Sequence, residues 1–591
     1  MAKNSGAMHV ATVTSRRVDK AGRQREYQSH LVRRTFREDG KVKHQTLANI
    51  TALPPAAIEA IRATLRGERV LPAGQAMQIT RSLPHGHVAA VWAQAKALDL
   101  PALLGPAGRN RDLALGLVVA RVLKPGSKLA TTAWWTDTTL GADLGITDAS
   151  TDEVYAAMDW LGSRQDSIEA KLARRHLAPE VNPGRMALFD LSSSWMEGTH
   201  CPLAARGYSR DGKKNRLQIE YGLLTDPDGR PVAIRVFPGN TADPTAFTDA
   251  VRIVRDRFGL TTMVMVGDRG MITSARIDAL RETNTGTGAD LGWLTALRAP
   301  AIAKLAADQG PLQMTLFDEQ DLAEIAHPDY PGERLIACRN PALAEERARK
   351  RGELLTATQT ALAPTVAAVK AGRLRGADKI GVKVGKVIDK YKMAKHLDLA
   401  ITDTTLEITR NSERIAAEAR LDGIYVLRTS VPADQLDAAA VVVAYKNLAH
   451  VERDFRSLKV DDLDLRPVYH RLEDRVRAHV LICMLAGYLT WHLRRTLAPL
   501  TYTDEHPPAR DNPVAPATRS TAAQRKASRH RDPNDQPVRS FRTLLDHLAT
   551  LTRNEVRLTG TGHTVPMLAE PTPTQQRVFD LLHQPLPVTL K

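Results

Sequence analysis

At 591 residues the chain exceeds what one hydrophobic core organises, so several domains are expected, about four by length. Its 43% hydrophobic and 25% charged residues describe a soluble globular protein, while 82 Lys+Arg against 66 Asp+Glu leave a formal +16 that favours a polyanionic partner. Cys201, Cys338 and Cys483 lie far apart without a C-x-x-C pair, which argues against a disulfide framework or a usual zinc site and for a reducing cytoplasm.

The first residues, MAKNSGAMHVATVTSRR, lack the apolar run of a signal peptide. Within 1–54, YQSHLVRRTFREDGKVKHQTLANI (27–50) predicts a β-hairpin with Asp-Gly at its tip. Residues 55–180 carry helical patterns, among them STDEVYAAMDWLGSRQDSIEAKLARRH with Ser150, Thr151 and Asp152 as candidate caps, and are expected to be a helical, DNA-contacting region. After NPG (182–184) the period changes. Across 181–300, MALFDLSSSWM and the two runs around DPDG predict three antiparallel strands, followed by helix, buried strand TTMVMVGD, helix and strand LGWLTALRA. The order β-β-β-α-β-α-β gives a mixed sheet with helices on its faces, within an α/β multidomain chain.

From 301 to 420 the alternation breaks into polar and basic segments, the signature of an inserted domain. In 421–499 the sheet resumes at LDGIYVLRTS, followed by the amphipathic helix AYKNLAHVERDFRSLKV (444–460). HVLICMLAGYLTWHL (479–493) is short for a span of about 20 residues and reads as a buried core helix; no membrane is expected as a partner, and His479 and His492 are core or helix-end histidines rather than ligands. Residues 500–540, rich in Pro, Arg, Ser, Asn and Asp, suit a solvated linker, and 541–591 a small helical tail.

Three carboxylates stand in apolar settings. Asp190 interrupts ALFDLSS, either on a solvent face of the strand or held by partners or a metal. Asp268 ends MVMVGDRG, where open α/β sheets place ligands and where an Asx turn or helix cap is also at home. Glu452 lies in the amphipathic helix: at about 100° per residue, Tyr445 at zero puts Leu448 near −60°, Glu452 near −20°, Arg456 near +20° and Lys459 near −40°, one narrow stripe. That stripe is read either as a surface with a Glu452–Arg456 pair or as a wall of a site. Asp454 falls opposite and is expected to be solvated. An Asp, an Asp and a Glu in this order suit two-metal phosphoryl chemistry, with oxygen ligands that favour Mg²⁺ or Mn²⁺.

At these residues the chain resembles the DDE transposases of bacterial insertion sequences, in the subgroup with a β-rich insertion ahead of the catalytic Glu. Tyr445, Glu452 and Lys459 fall on its Y-x2-R-x3-E-x6-K signature, with Leu448 at the Arg position. The likeness extends through FDLSSSWM, VGDRG, PGNTAD, YPGERLIACRNP, LDGIYVLRTS and RPVYH, most of 27–497. It implies an RNase H-like mixed-sheet core interrupted by an insertion domain, with Asp190, Asp268 and Glu452 binding two Mg²⁺ or Mn²⁺ ions. Tyr445 and Lys459 would position the DNA backbone, and Arg456 or Arg453 would stand in for the Arg that Leu448 replaces. The implied reaction is cleavage at the element's terminal inverted repeats and joining of the 3′-OH to target DNA, by a homodimer in a synaptic complex at the nucleoid. A structure-selective nuclease on the same fold and a catalytically silent DNA-binding derivative are the rival readings.

Arg210, Lys213, Lys214 and Arg216 follow the first strand as DNA-phosphate contacts or a solvated loop, and ERARKR (346–351) as a charged helix face or a DNA contact. TGTGADLG lacks nucleotide-loop spacing, and Ser192–Ser194 lack a nucleophile elbow.

Overall fold

The computed structural model describes residues 6–18, 24–68, 77–213, 215–307, 309–559 and 561–590. Two units emerge: Met1–Leu83 with Thr552–Glu570, and Pro84–Leu551 with Pro571–Lys591. In the first, β1 (Ala7–Val18), β2 (Gln24–Glu38) and β3 (Lys41–Asn49) form an antiparallel meander. Asp39 and Gly40 at the β2–β3 tip both have positive φ, 52° and 74°, the backbone an Asp-Gly hairpin turn requires. The expected hairpin is present, and β1 widens it to three strands. A helix at Pro55–Leu65 follows, then β4 (Met77–Pro84) where a helical pattern was expected to continue. Its partner strand lies hundreds of residues downstream, beyond the reach of local periodicity.

In the second unit, helices Gly86–Ala97, Arg109–Leu123 and Thr151–Ser163 pack around the helix Glu473–Thr496. Ser150 caps its helix as expected, in a box with Glu153. Glu473–Thr496 is long and apolar enough to cross a membrane, yet 78% of its apolar window is buried inside the protein, as expected of a core helix. His479 bears out its reading as a satisfied histidine, and the half-buried His492 stands near the helix end. His479 sits between Lys128 Nζ (3.2 Å) and the Leu465 carbonyl (3.3 Å), and burial holds the pKa of His492 down to about 3.

The eight-stranded mixed sheet is built from β5 (Met186–Trp195), β6 (Gln218–Thr225), β7 (Pro231–Pro238), β8 (Thr262–Val266), β9 (Asp290–Ala296), β10 (Leu322–Ile325), β11 (Arg334–Arg339) and β14 (Ile424–Thr429). Its order is β10-β11-β14-β9-β8-β5-β6-β7. β5, β8 and β9 run parallel, joined through helices Asp243–Arg252 and Ser274–Thr287, while β6, β7 and β14 are antiparallel to their neighbours. This is the expected β-β-β-α-β-α-β mixed sheet. β10 and β11 fall inside the span 301–420 but extend the main sheet. The piece with a core of its own runs from helix Pro341–Lys370 through helix Ala377–Tyr391 and the hairpin β12 (Leu397–Ile401) and β13 (Leu406–Arg410), around Leu355, Leu362, Ile380 and Val384.

Residues 500–540 contain helix Thr521–Arg529 and the buried Val514, and Lys446 Nζ donates to the carbonyls of Pro513, Val514 and Ala515 (2.6, 2.8 and 3.0 Å). Ordered contacts thus stand where a solvated linker was expected. The tail has the two expected helices, Phe541–Ala549 and Pro573–Leu581. Between them lie β15 (Thr552–Leu558) and β16 (Thr564–Leu568), which complete the sheet β16-β15-β4 of the first unit.

Candidate active site

Strand alternation sends Phe189 to one face of β5, where its ring meets Phe247 (centroids 6.5 Å apart), and Asp190 to the other. Gly222 on β6 leaves room for the Phe189 ring, since a Cβ there would come within 2.5 Å of it. β8 lies parallel to β5 with Leu188 opposite Val266, so two further residues of the same register bring Asp268 level with Asp190. Asp268 is past the end of β8, where Gly267 N–H still donates to the Leu294 carbonyl (3.2 Å).

Glu452 descends from above. The helix runs Ala438–Lys446, breaks step at Asn447 and continues Leu448–Arg456, its first half over β9, β11 and β14 and its second over β5. Phe455 seats it edge-on against Tyr221 (5.7 Å), whose hydroxyl is hydrogen-bonded to Ser194 Oγ at 2.9 Å. Burying Val451, Phe455 and Leu458 contributes roughly 1.5–3 kcal/mol each to holding it there.

Asp190, Asp268 and Glu452 therefore line one cavity of about 350 Å³, together with Tyr445, Leu448, Ala449, Asn340, Tyr425 and Lys446. Burial pushes the Asp190 carboxyl up to about 7, with Asp268 and Glu452 adding repulsion against the Leu191 amide and the Arg210 charge. Burial first, and Asp268 next, also raises the Tyr445 phenol. Among the described residues Asp190 accepts only the Leu191 N–H (2.8 Å) and Asp268 only that of Arg269 (2.7 Å), so neither has a cationic partner. No three His, Cys, Asp or Glu side chains among the described residues are gathered tightly enough to hold an ion. The donor set nevertheless fits a hard divalent cation: three carboxylates on one cavity, no thiol or imidazole among its lining, and a raised Asp190 that a cation would return to its ionised form.

Several expected residues stand elsewhere. Lys459 is buried, with Nζ 2.9 Å from Asp211 Oδ1 and Arg466 sharing that carboxylate. It leaves the Tyr445–Glu452 stripe because Ser457–Asp461 forms a wider i→i+5 turn, which takes in an extra residue and shifts the phase. Asp454 is not solvated: it lines a second cavity on the opposite side with His450, Arg453, Trp491 and Arg494, and burial raises its pKa to about 8. Arg453 faces that same second cavity, away from the carboxylates, and Arg456 is exposed beyond the first. Lys213 is exposed; Lys214 lies outside the described residues. Arg216 pairs with Glu197 (3.0 Å) and stacks on Trp195. Arg210, anchored through its amide to Ser193 Oγ, directs its guanidinium to Asp243 and Glu220. Sequence reasoning missed Asn340, Tyr425 and Lys446 as cavity walls. The alternation in GIYVLRT could have marked Tyr425, whereas nothing local marks Lys446, whose role depends on the carbonyls of 513–515.

A family model described as Transposase DDE domain matches residues 192–489, and one described as IS1634 family transposase, N-terminal domain, matches 15–73. No curated protein matches. Among solved structures, the chain is similar to a piggyBac transposase synaptic complex with hairpin DNA, at 9% identity over 68% of this chain and 71% of that one; its TM-score of 0.32 is too low to carry an argument.

Proposed function

Since the chain belongs to the DDE transposase family of insertion sequences, and is thereby a metal-dependent DNA-cleaving and strand-transfer enzyme, we propose that Asp190, Asp268 and Glu452 are its catalytic carboxylates. One observation carries the reading: the β5–β8 register aligns Asp190 with Asp268 under the helix that bears Glu452, on one cavity. The strand order β9-β8-β5-β6-β7 supports an RNase H-like core, and the separate packing of 341–419 between β11 and β14 supports an insertion within it. A DNA-contacting role for the helical region before β5 belongs to the same proposal.

Two Mg²⁺ or Mn²⁺ ions held by the three carboxylates would supply activation of the attacking oxygen and charge neutralisation at the leaving oxygen. The chain's own residues prepare that chemistry. Asp190 on β5 and Asp268, two residues past the end of the adjacent parallel β8, present their carboxylates side by side, whereas Glu452 arrives on a helix fastened by Phe455 against Tyr221. Leu448 and Ala449 give the cavity an apolar wall beside the carboxylates, and Tyr445 offers its hydroxyl to the DNA backbone. The formal +16 charge suits terminal inverted repeats and target DNA as partners, and joining two ends calls for a homodimer in a synaptic complex at the nucleoid.

The test is cleavage of labelled end DNA with Mg²⁺. Asp190→Asn, Asp268→Asn and Glu452→Gln should each lower cutting at least ~10³-fold while end binding stays within about threefold. Full cutting by any of them removes that residue from the mechanism, and cut products that are never joined to a target plasmid leave a nuclease instead.

A further inference from the structure

The carboxylate cavity does not end at Tyr445. A third cavity, of about 240 Å³, shares Asp268, Tyr425 and Tyr445 with it, so these two form one trough. The extension carries Arg269 and Arg347. Three other cations near the site are already engaged: Lys446 donates to three carbonyls, Arg210 pairs with Asp243 and Glu220, and Lys459 pairs with Asp211. Arg269 and Arg347 have no side-chain hydrogen bond or ion pair among the described residues, and both are exposed.

Their placement is built, not incidental. Arg269 follows Asp268 directly, and its charge reaches Tyr445. Arg347 shares a helix face with Arg351, one turn on, and Arg351 is pinned to Asp422 beside the Leu421 and Ile424 that floor the extension. Arg349, two residues away, turns to the far side, where Glu346 and Glu353 neutralise it. Both other arginines of the run ERARKR are thus engaged by carboxylates, and Arg347 is the one offered to the trough.

Resting on the transposase reading, we infer that Arg269 and Arg347 form a phosphate subsite that holds the DNA strand beside the scissile bond, supplying a cationic grip that the apolar Leu448 side chain is unable to provide. A guanidinium fork matches a phosphate oxygen pair, and the subsite adjoins the carboxylate cavity through Asp268 and Tyr445, with Asp190 and Glu452 lining only the latter. The two arginines are positioning residues: they touch DNA and not the reacting atoms.

The full-length protein and labelled end DNA decide it, through the slope of log Kobs against log[salt]. Each phosphate contact removed takes about 0.9 from the slope on duplex DNA and about 0.7 on a single strand. Arg269→Ala with Arg347→Ala should therefore lower the slope by about 1.4–1.8, weaken binding at least ~tenfold at about 150 mM salt and slow cutting. Arg349→Ala should leave all three unchanged, and the double Lys variant should restore the slope, because charge and not packing is read. A double Ala variant with the wild-type slope overturns the inference, as does one whose slope falls but is not restored by Lys. A wild-type chain that binds ends but never cuts them sinks the transposase mechanism alone, since the slopes still compare. Cutting by the wild type with an unaltered slope in the double variant sinks only the subsite.

Discussion

Replacing Asp190 by Asn in metal-free protein should stabilise it, and by an amount that depends on pH. The Asp190 carboxyl has a native pKa of about 7 against 3.8 in the unfolded chain, so between about pH 4 and 7 the native state keeps a proton that the unfolded state has released. Stability therefore falls as pH rises through that window, and the decline is complete above about pH 7. A gap of about three pH units corresponds to a ceiling on the order of 4 kcal/mol, and screening of a half-buried group brings the expected penalty to about 1–3 kcal/mol. Asn cannot ionise, yet its Oδ1 keeps the Leu191 N–H bond, so the variant should match the wild type at about pH 4 and exceed it at about pH 8. Urea unfolding across about pH 4–8, in EDTA, measures the difference. Added Mg²⁺ at about pH 8 should then raise the midpoint of the wild type but not of the variant, because binding to the native state alone shifts stability by mass action. Equal stability of the two proteins at the alkaline end, or a difference that does not vary with pH, refutes the reasoning that Asp190 is a half-buried carboxylate short of a cation.

Lys459→Ala should cost about 1–3 kcal/mol, because it strips Asp211 of one of its two cations in a nearly dry setting. Its salt slope on end DNA should equal that of the wild type; a slope reduced by about 1 at unchanged stability would return Lys459 to the DNA. Asp454→Asn should raise the urea midpoint at about pH 9 and leave it unchanged near about pH 4, since between about pH 4 and 8 native Asp454 keeps a proton that the unfolded chain has released, so wild-type stability falls across that window and the loss is complete above about pH 8. Equal midpoints at the higher pH would mean that Asp454 has a partner in solution.

Much of the architecture was legible locally. The Asp-Gly tip of the first hairpin, the Ser150 cap, the buried character of 473–496 and the run of strands and helices from 186 to 296 all follow from period and turn chemistry. The three carboxylates were legible for a related reason: an ionisable group in an apolar strand or stripe demands compensation. What local pattern could not supply were pairings between distant segments. β4 looked helical because its partner is β15, and 500–540 looked solvated because the Lys446 that engages its carbonyls belongs to another helix.

The helix around Glu452 divides the two kinds of information most sharply. An ideal 100° period, read from sequence, correctly set Tyr445, Leu448 and Glu452 on one wall, because the helix is regular over Leu448–Arg456 and Asn447 perturbs it little. It misplaced Lys459 and Asp454. The wide turn at 457–461 resets the phase of Lys459, and the packing of Trp491 and Arg494 covers the face on which Asp454 lies. Sequence alone thus determined which residues could do the chemistry, since that depends on side-chain type and local period. Only the tertiary structure decided which of them meet, since Asp190, Asp268, Glu452 and the arginines at 269 and 347 are brought together by strand register and by contacts between segments far apart in the chain.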